Sequence, residues 1–153
     1  MTVIEGNSAH LGGGVGVSNG YLVISGKAWI EGNMATNGGG LHVGAGTAEV
    51  VNAYILRNVA GMHGGGAYVA TNSTSEMATS LLAENVMNPG AWGGGLRING
   101  GRGYLAGCTV FSNTVGGVEC SAGSSLQMAG CIAYGHSLVN ITALYDVQYC
   151  DVG

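Results

Sequence analysis

Apolar residues recur along this chain in short alternating triplets rather than in helical arcs. Counting back from a recurring asparagine gives chemically uniform columns. Three positions ahead of it stand Ile4, Ile30, Ile55, Leu82, Val110 and Ala133. Five ahead stand Thr2, Ala28, Ala53, Ser80, Cys108 and Cys131, and eight ahead stand Ser25, Val50, Met77, Leu105 and Met128. The asparagines are Asn7, Asn33, Asn58, Asn85 and Asn113, with His136 in the sixth place. Glycine triplets follow, beginning at Gly12, Gly38, Gly64 and Gly93, which are 26, 26 and 29 residues apart, and a weaker pair stands at Gly116-Gly117. Behind the glycines come apolar-x-apolar triplets, Val15-Gly16-Val17, Leu41-His42-Val43, Ala67-Tyr68-Val69, Leu96-Arg97-Ile98 and Val118-Glu119-Cys120.

Inward columns two or three residues apart describe short strands joined by bends, not helices. A period of roughly 25 residues holding two or three such strands is one coil of a β-solenoid, in which like residues stack at the ~4.8 Å interstrand spacing. The expected fold is all-β, a single-stranded right-handed parallel β-helix of about six rungs, as one domain over residues 1–153. Glycine suits tight corners, and asparagine tolerates the left-handed region while bonding turn amides, so a stacked asparagine corner is expected. The insertion from Met87 to Trp92 falls between asparagine and glycine and marks that corner as the one that bears loops.

An apolar-x-x-Asn element followed by Gly-Gly-Gly-apolar, as at Ile4-x-x-Asn7, Ile30-x-x-Asn33, Ile55-x-x-Asn58 and Leu82-x-x-Asn85, resembles the repeat of polymorphic outer membrane proteins and related bacterial β-helix proteins. The tail, Cys131 to Ser137 and then Val147 to Val152, is similar to rungs of large secreted β-helix proteins. The resemblance spans nearly the whole chain and implies a bacterial surface or secreted protein, often adhesive. It also implies a longer parent chain, and the absence of a leader ahead of Thr2-Val3-Ile4 fits a segment or a processed chain. Where the family carries an aromatic at the apolar position, this chain has Ile or Leu.

Composition narrows the function classes. Glycine contributes 31 residues and charged residues 8%, yet 46% of the chain is apolar and no Gly-X-Y period exists, which excludes collagen and disorder. A net charge of −4 with only Lys27, Arg57, Arg97 and Arg102 as cations leaves no basic footprint for nucleic acid. No apolar run reaches the ~18 residues of a membrane span.

Cys108, Cys131 and Cys150 fall in one inward column when the last rung is aligned on Cys150. That is a core ladder continuing Thr2, Ala28, Ala53 and Ser80; a disulfide between two of them is the alternative, with parallel Cβ vectors against it. Zinc spacing is absent and no metal or cofactor is implied. Glu5 with Glu31, and Glu49 with Glu76, share outward columns, a spacing that fits paired carboxylates of a glycosidase or simple solvated faces. The four histidines are expected at unrelated heights. Asn72-Ser73-Thr74 and Asn140-Ile141-Thr142 are formal glycosylation sequons.

The outward positions flanking the Ile/Leu column are the most pointed feature. They read Val3/Glu5, Trp29/Glu31, Tyr54/Leu56, Leu81/Ala83, Thr109/Phe111 and Ile132/Tyr134, and nine of the twelve are apolar or aromatic. Such a stripe is expected to be covered by a partner or a stacking ligand. Trp29, Tyr54, Leu56, Leu81, Phe111, Ile132 and Tyr134 are its candidate contact residues. Two functions follow as expectations. One is a structural or adhesive module without enzymatic activity, associating laterally or end to end with copies of itself or another surface protein. The other is a carbohydrate-binding or carbohydrate-cleaving β-helix, with Trp29 and Tyr54 as platforms and Glu5 and Glu31 as acids.

Overall fold

A computed structural model of the chain describes residues 1–135, 144–148 and 150–152, so His136 and the sequon at Asn140 lie outside the described residues. The chain winds as an all-β solenoid of about five turns, with every strand pairing parallel. Each of the first four turns carries four short strands rather than two or three, and the turn that starts at Thr109 carries three. The first sheet stacks seven: Val3–Glu5, Trp29–Glu31, Tyr54–Leu56, Leu81–Ala83, Thr109–Phe111, Ile132–Tyr134 and Asp151–Val152. The second stacks Ser8–Leu11, Met34–Asn37, Val59–His63 and Val86–Met87. The third stacks Val15–Val17, Leu41–Val43, Ala67–Val69, Leu96–Ile98 and Val118–Cys120. The fourth stacks Gly20–Ile24, Gly46–Val51, Thr74–Ala78, Arg102–Ala106, Ser125–Ala129 and Leu144–Gln148.

Sheet register reproduces the sequence columns, with one correction. Ile4, Ile30, Ile55, Leu82, Val110 and Ala133 are successive partners along the first sheet, buried except for the half-buried Ile4 at its end. In the fourth sheet the partner of Val50 is Ile24, not Ser25. The first turn carries one extra corner residue, with Gly26 and Lys27 both at positive φ, so its inward position lies one residue earlier. Ile24, Val50, Met77, Leu105 and Met128 then form a continuous buried ladder in the single large core.

The asparagine corner is a hydrogen-bonded column. Each inner asparagine accepts two bonds on Oδ1, from the backbone N–H and the side-chain amide of the asparagine one turn earlier, at 2.9–3.1 Å. Its own amide also donates to the carbonyl of the apolar residue one turn earlier: Asn33 to Ile4, Asn58 to Ile30, Asn85 to Ile55 and Asn113 to Leu82. Asn33, Asn58, Asn85 and Asn113 are all fully buried. The residue before each asparagine sits at positive φ whatever its type: Gly6, Gly32, Arg57, Glu84 and Ser112, as does Gly135 at the sixth place.

The glycine corner is fitted to that column. A Cβ on the third glycine of each triplet would lie 2.8–2.9 Å from the amide nitrogen of the asparagine one turn later, as for Gly14 on Asn33 and Gly40 on Asn58. The same Cβ would collide with a backbone oxygen of the next glycine corner at 2.7 Å or less. Only glycine lets both corners stack at rung spacing.

Replacing Asn58 by Ala is therefore expected to strip two donors on Asn33 and the carbonyl of Ile30 of their side-chain partner, and to remove one of the two bonds to Asn85 Oδ1, at a cost of about 3 kcal/mol or more. Asn7→Ala, at the exposed end of the column, removes one side-chain bond and is expected to cost about 1 kcal/mol. Urea denaturation of the two variants beside the parent chain checks the contrast.

Candidate functional site

The outward stripe of the first sheet does not form one uniform surface. Trp29 and Tyr54 are partners on adjacent strands, half-buried, with ring centroids 4.7 Å apart and planes 23° apart. Each ring covers a face of the other, so the ladder itself shields part of the aromatic surface. Leu56 is buried and Leu81 half-buried within the same ladders, whereas Phe111, Ile132 and Tyr134 are 43%, 50% and 61% exposed. Phe111 and Tyr134 also stack, at 6.3 Å. The open apolar area thus lies toward the later turns.

Glu5 and Glu31 are register partners, but they are not an equivalent pair of carboxylates. Glu5 is exposed at the end of the stack, while Arg57, reaching back from its positive-φ corner, holds Glu31 and also Glu84 at 3.1 Å. With its oxygens engaged by the guanidinium, Glu31 is not a free counterpart to Glu5.

The cysteines are free thiols. Cys108 and Cys131 are buried and Cys150 half-buried, in the column that continues Ala53 and Ser80. Their thiols donate to corner carbonyls, Cys108 to Met77 at 3.4 Å and Cys131 to Leu105 at 3.4 Å, as the Ser80 hydroxyl does to Ala78. A hydrogen bond with Cys131, reinforced by burial, raises the Cys108 thiol above its ordinary value. Cys120 belongs to a different ladder, below Ile98, and burial pushes it up to about 12. Cys108 and Cys120, held protonated in this way, are poor nucleophiles.

Two further groupings emerge from columns that the sequence analysis did not assemble. The middle residues of the third-sheet triplets, Gly16, His42, Tyr68, Arg97 and Glu119, are register partners on its outer face. His42, Tyr68 and Glu119 are nevertheless buried. The Tyr68 ring stacks on His42 at 5.4 Å and on His63, from the second sheet, at 5.6 Å, and its hydroxyl accepts from Asn99 Nδ2 at 3.0 Å. Arg97 pairs with Glu119 and lies 5.8 Å from the Trp92 ring, at the close of the Met87–Trp92 insertion. Two of the four histidines therefore meet at one aromatic residue, against the expectation that they stand apart. His10 shares a hydrogen bond with Thr36, at 3.2 Å. The alternating x of apolar-x-apolar was the available signal.

The second grouping is a groove of about 440 Å³ on the outer face of the fourth sheet. One outward column along it reads Glu49, Glu76, Tyr104, Gln127 and Asp146, and the next reads Val51, Ala78, Ala106, Ala129 and Gln148. The small second column forms a floor beside the larger first. Tyr21 donates its hydroxyl to Glu49, and Gln148 donates to Asp146 at 2.9 Å. No group of metal-ligating side chains gathers among the described residues, and no helix there is long and apolar enough to cross a membrane.

Burial lowers both His42 and His63 below the ordinary histidine value, with the Arg97 charge adding to the effect at His63. Between that lowered value and about 6.5 the unfolded chain binds more protons, so this contribution to stability falls as pH falls. Glu119 acts in the opposite sense: burial, against the pull of Arg97, raises its carboxyl, so its contribution is present below the ordinary 4.5 and lost as pH rises through the folded value. Urea midpoints are expected to drop from about pH 7.5 to about pH 5.5, and a His42→Gln/His63→Gln double variant is expected to flatten that slope.

Comparison with known proteins adds no relative: no family model matches the sequence, and no match was found among curated proteins or solved structures.

Proposed function

We propose that this chain is a structural module that works by association, meeting partners laterally through the apolar end of the first sheet. The observation that carries this reading is the open apolar surface of Phe111, Ile132 and Tyr134, which are 43%, 50% and 61% exposed, with Phe111 and Tyr134 stacked on each other at 6.3 Å. Contiguous exposed apolar area of this kind marks an interaction surface.

In-register stacking gathers these side chains on neighbouring strands, with Phe111 the partner of Tyr134 and Thr109 the partner of Ile132. The asparagine and glycine repeat supports, as part of this proposal, kinship with polymorphic outer membrane repeats and a bacterial surface or secreted setting. A carbohydrate-active role has less behind it, because Trp29 and Tyr54 stack on each other and Glu31 is paired with Arg57.

Light scattering across a concentration series tests the proposal. The parent chain is expected to exceed 15.2 kDa progressively with concentration. A Phe111→Ser/Tyr134→Ser variant is expected to hold the mass at the monomer value with the fold intact by circular dichroism. A parent chain that stays monomeric throughout contradicts the proposal.

A further inference from the structure

Beyond the structural role, we propose that the groove on the fourth sheet binds an extended basic segment of a partner protein, laid along the solenoid axis with cationic side chains four residues apart. Negative charge on this chain is paired unevenly. Glu31 and Glu84 are paired with Arg57, and Glu119 with Arg97. Glu49, Glu76 and Asp146 make no salt bridge among the described residues, and all three line the one groove. The cation nearest in register, Arg102, stands in the adjoining outward column as the partner of Thr74 and Ser125, and is not part of the lining.

Spacing selects the occupant. Glu49 and Glu76 are direct partners on neighbouring strands, where like charges ~4.8 Å apart repel and a single ammonium or guanidinium seated at Glu76 relieves the repulsion. Asp146 lies three strand steps beyond Glu76, past Tyr104 and Gln127, or about 14 Å. An extended peptide rises about 3.4 Å per residue and directs alternate side chains to one face, so residues i and i+4 lie on the same side and about 13.6 Å apart. Lysine or arginine at those two positions meets the Glu49–Glu76 pair and Asp146 together, and the residue between them on that face lies over Tyr104 and Gln127. The alanine floor, Ala78, Ala106 and Ala129, leaves room for a backbone, and the amides of Gln127 and Gln148 supply donors and acceptors to it.

The test is an NMR titration of the isotope-labelled chain at low salt with two acetylated, amidated peptides of identical composition, Lys-Thr-Ala-Thr-Lys and Lys-Thr-Lys-Thr-Ala. The first is expected to bind about three- to fivefold more tightly, with shifts concentrated at Glu76, Tyr104, Gln127 and Asp146. Glu76→Gln and Asp146→Asn should each weaken it by a similar factor, and added salt should weaken it further, while Glu5→Gln leaves it unchanged. Equal affinity for the two peptides, binding that survives both groove substitutions, or no binding at low salt overturns the proposal.

Discussion

One steric fact underlies this solenoid: the missing side chain of a glycine makes room for the amide of an asparagine one turn away. Gly14, Gly40, Gly66 and Gly95 each sit where a methyl group would press on the amide of Asn33, Asn58, Asn85 or Asn113. Those amides bridge successive turns, accepting twice from the turn before and donating to its carbonyls. A buried amide left unpaired would cost on the order of 1–3 kcal/mol per group, so neither column is tolerable without the other. Rung spacing, the direct stacking of Ile30 on Ile55 on Leu82, and the parallel register of the first sheet all follow from that fit.

Stacking in register has a second consequence, which is that every outward column becomes a ladder of near neighbours. Aromatic residues then cover one another, as Trp29 and Tyr54 do, and like charges are brought together unless a cation intervenes. Arg57 and Arg97 each neutralise carboxylates on adjacent turns, and the acidic ladder of the fourth sheet is what remains. With only 8% charged residues in the chain, the few that exist give each face a distinct character. The first face is apolar at its far end, the third is a buried polar stack, and the fourth is an acidic groove.

Much of the fold was legible because period and residue type agree: Ile, Leu and Val inward, Asn and Gly at corners, all at one spacing. The strands of the second sheet were not, because their inward positions are occupied by small residues such as Ala35 and Ala60, which leave little hydrophobic signal. The positive-φ position before each asparagine was hidden by Arg57, Glu84 and Ser112, residues that do not announce such a turn. Lys27 displaced one column by a residue, moving the inward role from Ser25 to Ile24. As for the site, the shared columns of Glu5 with Glu31 and of Glu49 with Glu76 could be read directly. Which pair had a counter-ion depended on Arg57 crossing between turns, and the burial of Tyr68 on an outward column goes with His63 stacking over it from the second sheet. Both are tertiary facts with no periodic trace in the sequence.

Native-state hydrogen exchange at the backbone amides of Asn33, Asn58 and Asn85 tests the central dependence most directly, since each donates to the side chain of the next asparagine. The account predicts that all three exchange only through global unfolding, with the same free energy as the most protected strand amides of the first sheet. Exchange through local opening, markedly faster than in the flanking strands, would show that the asparagine column decorates the solenoid rather than holding it together.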